Sequence, residues 1–153
     1  MLTVNELLEK QAQELDIDVQ NYKGRALVGV RQTGKLCFTS GSGCAEFRQG
    51  LIGSELTFED GYLACQHIAT IQLLIMRDYL GDLDRVDQIM RVYGHITCDD
   101  SFTDLEGVFA GFTDVFKTVF GERGLSPHTI LGSRNLPVGN TAAELEVIFT
   151  VRD

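Results

Sequence analysis

The stretch TFEDGYLACQHIATIQLLIMRDYLG, from Thr57 to Gly81, is the strongest helix signal in the chain. Thr57 can cap the free amides of the first turn, and the acidic residues that follow favour the positive end of the helix dipole. Apolar residues then occupy more than one face of the helix until glycine ends it. Such a helix is covered on several sides, so we expect it to pack on a sheet, with a second subunit as a further candidate cover.

Shorter patterns on both sides of this helix predict the remaining elements. An amphipathic helix with a threonine-glutamate capping box is expected over Thr3–Leu15. Another helix is expected over about 102–120, capped by Asp100 or Ser101. The β-prone runs that predict strands are Arg25–Arg31, Lys35–Thr39, Val86–Thr97, Thr129–Leu131 and Ala143–Val151.

The order of these elements is a helix followed by β-β-α-β-α-β-β, which is an α+β pattern. Two helices that cover one face of a mixed sheet give a two-layer sandwich. The other face of the sheet has no covering element in the sequence, so we expect a second protomer to bury it. The glycine-rich stretch Ser40–Ser54 is expected to be a loop. Its first four residues could present backbone amides to an anion or could form a plain turn that ends the preceding strand.

Composition excludes several classes of function. The net charge is −9, with 13 basic and 22 acidic residues, and the basic residues do not cluster, so nucleic acid is disfavoured as a partner. No apolar run is long enough to span a bilayer, and the first residues do not form a signal peptide, so we expect no membrane association and a cytoplasmic location. The four cysteines are expected to be reduced. Neither a metal site nor a cofactor is expected, because no pair of cysteines or histidines has ligand spacing.

Several short segments, in order from about residue 22 to the C-terminus, resemble the Rid (reactive-intermediate deaminase, YjgF-like) family, and especially its longer YjgF-like branch. These segments are Gly34–Gly41, Leu80–Val86, Val92–Gly94, Gly111–Asp114, Phe120–Gly124, Leu136–Pro137 and Glu144–Glu146. The most specific is the leucine-glycine-aspartate-leucine-aspartate run that begins at Leu80. On this resemblance, residues 1–153 form one Rid/YjgF-like domain, with residues 1–20 as an N-terminal helical extension.

The resemblance implies a chorismate-mutase-like fold and a homotrimer with small-molecule clefts between subunits. Family members with the full site hydrolyse reactive enamines and imines to a keto acid and ammonia, using an arginine that grips the substrate carboxylate and a glutamate that handles water. Carried over to this sequence, the glutamate is Glu144, and Tyr22, Gly41 and Ile130 are expected to bind substrate. The arginine position holds His128, and the asparagine that often precedes Gly111 is alanine here.

His128 makes the activity an open question at this stage. A neutral imidazole lacks the permanent, bidentate grip of a guanidinium, although a protonated one could pair with an anion. Arg134 cannot replace the missing arginine from its own strand, because six residues at about 3.3 Å each place it roughly 20 Å away. The histidines at 67 and 95 are interpreted as packed or hydrogen-bonded rather than as ligands.

Three functions therefore stand as hypotheses. The first is a divergent enzyme that hydrolyses an imine, an enamine or a related metabolite. The second is a non-catalytic ligand-binding or regulatory trimer, which the loss of the arginine favours. The third is an endoribonuclease, against which the acidic charge argues.

Overall fold

The computed structural model describes all of residues 1–153, and its elements follow the predicted order. The helices are α1 (Val4–Glu14), α2 (Phe58–Leu80) and α3 (Leu105–Phe120). The strands are β1 (Val30–Thr33), β2 (Leu36–Thr39), β3 (Ser42–Gly43), β4 (Val86–Thr97), β5 (His128–Ser133) and β6 (Ala143–Val151). Short 3-10 turns lie at Leu83–Arg85 and Gly121–Gly124, and a tight turn at Pro137–Asn140 leads into β6.

The strands form one mixed sheet in the order β1-β2-β6-β4-β5, with β3 paired to the start of β6. The β4–β5 pair is parallel and all other pairs are antiparallel. Helices α2 and α3 pack on one face of the sheet, where the alternate residues Leu145, Val147 and Phe149 of β6 join a continuous apolar core. The α+β two-layer sandwich is confirmed.

The second face of the sheet is uncovered in the single chain. Glu144, Glu146 and Ile148 of β6 point to this face, because successive residues of a strand alternate. Phe38, Met90 and Leu131 stay between 40% and 44% exposed. Three large apolar side chains are thus left in water.

The predicted capping box at Thr3 is present in the structure, and Thr57 caps α2 as predicted. The Thr3 hydroxyl accepts from the Glu6 amide while the Glu6 carboxylate accepts from the Thr3 amide. Thr57 and Asp60 make the same reciprocal pair at the start of α2. These signals depend only on neighbouring residues, so the sequence contains them in full.

Two local predictions were wrong. The first strand is Val30–Thr33 and not Arg25–Arg31, because only the last two residues of the predicted run pair with β2. The cap of α3 is Asp104, whose carboxylate accepts from the Gly107 amide. Ser101 instead closes a separate turn on Asp99.

The predicted loop after β2 is also only partly a loop. Ser42 and Gly43 form a two-residue strand that pairs with Leu145 and Glu144 of β6. Two residues are too few to show a period in the sequence, and their pairing partner lies about a hundred residues away along the chain. No helix of the fold combines the length and the apolarity that crossing a membrane requires.

Candidate functional site

A cleft with a volume of about 760 Å³ lies along the free edge of β3. Its walls are the N-terminal segment 15–26, the stretch 41–47, one side of α2 and the turn before β6. Glu144 reaches it from the uncovered face of the sheet, whereas α2 reaches it from the covered face. The cleft therefore passes around the edge of the sheet, and its size suits a ligand of metabolite or drug dimensions.

Glu144 and Gly41 form one end of this cleft. A side-chain Cβ atom at Gly41 would lie 3.1 Å from Glu144 Oε1, so the carboxylate rests against glycine backbone. The residue is half-buried, and its carboxylate makes no hydrogen bond or ion pair within the chain. A carboxylate without a protein partner at the edge of a cleft is free to bind water or a ligand.

Gln72 holds the two backbone segments that carry Gly41 and Glu144. Its side chain is fully buried on α2, and its Nε2 donates to Ser40 O at 2.9 Å, Ser42 Oγ at 2.9 Å and Leu145 O at 3.0 Å. Ser40 and Ser42 flank Gly41, and Leu145 follows Glu144. One amide thus ties the helix to both chain segments that carry the site. Gln72 was not among the predicted site residues, and its only signal in the sequence is a polar side chain inside the apolar run of α2.

Tyr22 lines the cleft with its ring, and its hydroxyl is engaged elsewhere. The hydroxyl donates to Asp78 Oδ2 at 2.8 Å, and Arg25 lies 4.5 Å above the ring and 3.2 Å from the same carboxylate. Burial first, and then the hydrogen bond to Asp78, raise the pKa of Tyr22 to about 12. Tyr22 is therefore a neutral wall of the cleft at physiological pH.

His67, on α2, forms the opposite wall together with Phe47. The two rings stack at 4.7 Å with an angle of 15° between their planes. Arg48 lies 4.2 Å above the Phe47 ring and is held by Asp60 at 2.8 Å. His67 Nδ1 is buried and has no hydrogen-bond partner. His67 was interpreted as packed or hydrogen-bonded, and the structure shows it packed on Phe47.

His128 and Ile130 do not line the cleft within one chain. They lie on β5, at the far edge of the sheet, and point toward the helices. His128 Nε2 is 2.7 Å from Glu106 Oε2, and its ring packs 4.6 Å from Phe109. The five predicted site residues thus fall into two groups, with Tyr22, Gly41 and Glu144 in the cleft and the other two on the edge strand.

The remaining reactive groups offer no second site. Arg134 is paired with Asp100 at 2.6 Å. All four cysteines are free and buried, and burial raises the pKa of the Cys44 thiol, which receives a hydrogen bond from Thr141. No group of three or more potential ligand side chains is arranged to hold a metal ion.

Fold and cleft together define the class of protein, an α+β sandwich of chorismate-mutase-like topology with a metabolite-sized cleft at the edge of its sheet. The chain belongs to the Rid/YjgF-like family, since residues 6–148 match the family model described as "YjgF/chorismate mutase-like, putative endoribonuclease". The family assignment made from the sequence segments is confirmed.

Individual relatives are more distant. Protein TCP17 of Trypanosoma cruzi is 31% identical over 105 residues, and this match spans 68% of the chain but only 65% of TCP17. The structure of Atu1372 from Agrobacterium tumefaciens, a protein of unknown function, has a TM-score of 0.84 at 22% identity, over 97% of this chain and 95% of that one. Escherichia coli TdcF, solved with bound serine, has a TM-score of 0.53 at 21% identity, over 90% and 98% of the two chains. These two structural likenesses concern the fold.

Proposed function

We propose that this protein binds a small amino-acid-derived metabolite in the β3 cleft and hydrolyses its imine or enamine form. The observation that carries the proposal is the free Glu144 carboxylate, held against the Gly41 backbone at one end of a cleft of about 760 Å³. The bound serine of TdcF supports an amino acid as the type of ligand that this fold accepts.

In the proposed reaction Glu144 acts as a general base toward water. Water adds to the carbon of the protonated imine while Glu144 takes one of its protons, which gives a neutral carbinolamine. Glu144 then returns this proton to the nitrogen, and the C–N bond breaks as the hydroxyl oxygen forms the carbonyl double bond. The hydroxyl proton passes to the departing ammonia, so a keto compound and ammonium leave. An enamine enters the same sequence after protonation at carbon. This hydrolysis consumes only water and needs no oxidant or cofactor.

We further propose that the protein assembles as a homotrimer that brings the two groups of site residues together. His128 and Ile130 lie on the edge strand β5, while Tyr22, Gly41 and Glu144 line the cleft near β3, so a neighbouring copy would supply the missing half. The uncovered sheet face with its three exposed apolar side chains supports burial against other copies. Sedimentation analysis tests this assembly, and a chain that stays monomeric at micromolar concentration would contradict it.

Glu144→Gln and Glu146→Gln are the variants that test the reaction. Both glutamates lie on the same face of β6, but Glu146 is exposed and does not line the cleft. Imino acids generated in solution by an L-amino-acid oxidase serve as substrates, and release of the keto acid is measured. We expect Glu144→Gln to lower the enzymatic rate at least 100-fold, in the range of a lost general base, and Glu146→Gln to change it less than twofold. Equal rates in both variants would refute the role of Glu144.

A non-catalytic ligand-binding trimer is the second candidate, and the surroundings of His128 favour it. Its ring is held by Glu106 and Phe109, so it is not presented as a free cationic clamp. In that case serine or its keto-acid analogue would raise the melting temperature, Tyr22→Phe or His128→Ala would reduce this shift, and no imine would be consumed. Ribonuclease activity is disfavoured by the net charge of −9 and by the pairing of the cleft cations Lys23 and Arg25 with Glu46 and Asp78.

A further inference from the structure

His67 has hydrogen-bonding capacity that the protein itself does not use. Nδ1 is buried without a partner. Nε2 makes no hydrogen bond to the protein and is not among the buried nitrogens, so it keeps access to the cleft that the residue lines. Nδ1 is closed to solvent, so Nε2 is the ring nitrogen that a ligand in the cleft can reach.

The surroundings of His67 fix its proton on the nitrogen that faces the cleft. Burial, with a smaller contribution from Arg48, lowers the pKa of His67, so the ring is neutral at pH 7. A neutral imidazole carries one N–H and one acceptor nitrogen. An N–H on buried Nδ1 would have no acceptor, which costs more than leaving a lone pair unused. The N–H is therefore on Nε2 and points to the cleft.

Two apolar side chains lie beside His67 in the wall of the cleft. Phe47 stacks on the ring, and Ile71, one turn further along α2 on the same side, also lines the cleft. Gln72, which contacts the backbone beside Glu144, lies five residues from His67, or about 7.5 Å along the helix axis. A para-substituted phenyl ring bridges a comparable distance.

We infer that His67 binds the distal end of the metabolite, donating its Nε2–H to an acceptor atom on an aromatic side chain whose ring lies against Phe47 and Ile71. This inference rests on the proposed small-molecule function and names its ligand class, the keto or imino acids with a ring and a polar tip. Three-carbon acids such as serine or pyruvate would occupy only the Glu144 end of the cleft.

The test uses two probes that differ by one hydroxyl group, 4-hydroxyphenylpyruvate and phenylpyruvate. Their dissociation constants are measured by calorimetric titration of the full-length protein. We expect the hydroxylated acid to bind about fivefold more tightly, which is the ratio that one neutral hydrogen bond gives. His67→Phe keeps the aromatic stack and removes the donor, so the ratio should fall to about one. His67→Gln, which offers an N–H at similar reach, should restore part of the preference.

Each other outcome overturns the inference. A ratio near one in the native protein, an unchanged ratio in His67→Phe, or no binding of either acid would do so, with circular dichroism showing that the variants are folded. The proposed reaction is judged separately, since Glu144→Gln should abolish turnover and preserve the fivefold ratio. A His67-dependent ratio without Glu144-dependent turnover would refute the reaction alone, and the reverse pattern would refute the inference alone.

Discussion

Replacing Gln72 should loosen the Glu144 end of the cleft and destabilise the whole domain. In Gln72→Leu the side chain keeps its bulk, but Ser40 O, Ser42 Oγ and Leu145 O lose the N–H groups that now satisfy them. Each lost hydrogen bond with a buried partner costs about 1–2 kcal/mol, and Nε2 has two hydrogens to share, which gives a cost of about 2–4 kcal/mol. Gln72 Oε1 is buried without a hydrogen-bond partner, and its removal offsets about 1 kcal/mol, so we expect a net loss of about 1–3 kcal/mol. For a chain of 153 residues this is a fall in Tm of roughly 2–12 °C.

Gln72→Glu tests the polarity of the same contact. A carboxylate there would face two backbone carbonyl oxygens, with the Ser42 hydroxyl as the one possible donor, whereas a protonated carboxyl can itself donate one hydrogen bond. Burial raises the carboxyl pKa above its unfolded value of about 4.3. Because the folded pKa is raised, stability is fully present below the unfolded pKa and is lost as the pH rises through the folded pKa. The variant should therefore be closest to the native protein near pH 4 and weakest at pH 8.

Urea unfolding followed by circular dichroism at pH 5 and pH 8 measures both effects. Gln66→Leu is the matched control, since Gln66 lies on the same helix and its side chain makes only a 3.5 Å contact with Tyr62 Oη. We expect this control to stay within about 0.5 kcal/mol of the native protein. If Gln72→Leu were equally stable, or if Gln72→Glu showed no additional loss between pH 5 and pH 8, the amide would not hold the site together.

Three further predictions concern the cleft and the helix that forms its wall. Gly41→Ala places a Cβ 3.1 Å from Glu144 Oε1, so the rate of imine hydrolysis should fall about tenfold. The Tm should change by less than about 2 °C. An unchanged rate would show that the position of the carboxylate is not critical. Tyr22→Phe removes the hydrogen bond to Asp78 and should lower the free energy of unfolding by about 1 kcal/mol. Because the pKa of Tyr22 is about 12, the dependence of the hydrolysis rate on pH should stay the same below pH 10. A change in the alkaline part of this profile would contradict the prediction. Thr57→Ala removes the N-cap of α2 and should cost about 1 kcal/mol in urea unfolding, whereas Thr57→Asn should retain most of the stability.

Sequence reasoning succeeded for this fold where the deciding signal is local. The caps at Thr3 and Thr57, the strand Val86–Thr97 and the glycine ends of α2 and α3 depend on residues within a few positions of each other. The family resemblance added the chorismate-mutase-like topology, which helix and strand periodicity alone does not specify. The homotrimer remains a prediction from that resemblance.

The parts that could not be predicted depend on contacts between distant segments. The pairing of Ser42 with Leu145 and the contacts of Gln72 join residues 30 or more positions apart. Residue types give no sign of such contacts, since a glutamine in a helix is ordinarily exposed. The free nitrogen of His67 was missed for the same reason, because most helix histidines find a partner and only the three-dimensional surroundings show that this one does not.

For the proposed hydrolysis, the place of His128 in the fold matters more than the chemistry of its imidazole ring. Val92 pairs with His128 and points into the core beneath the helices, whereas His95 pairs with Glu144 on the uncovered face. Residues paired across neighbouring strands point to the same side of the sheet, so His128 and Glu144 point to opposite sides, with β4 between their strands. One small ligand cannot contact both side chains within a single chain. An arginine at residue 128 would also point away from Glu144. Residue 128 and Glu144 could therefore hold the same ligand only if the edge strand of one copy met the cleft of the next copy. In the proposed trimer, residue 128 would thus belong to what a neighbour contributes, while Glu144, Gly41 and His67 line the cleft within each chain.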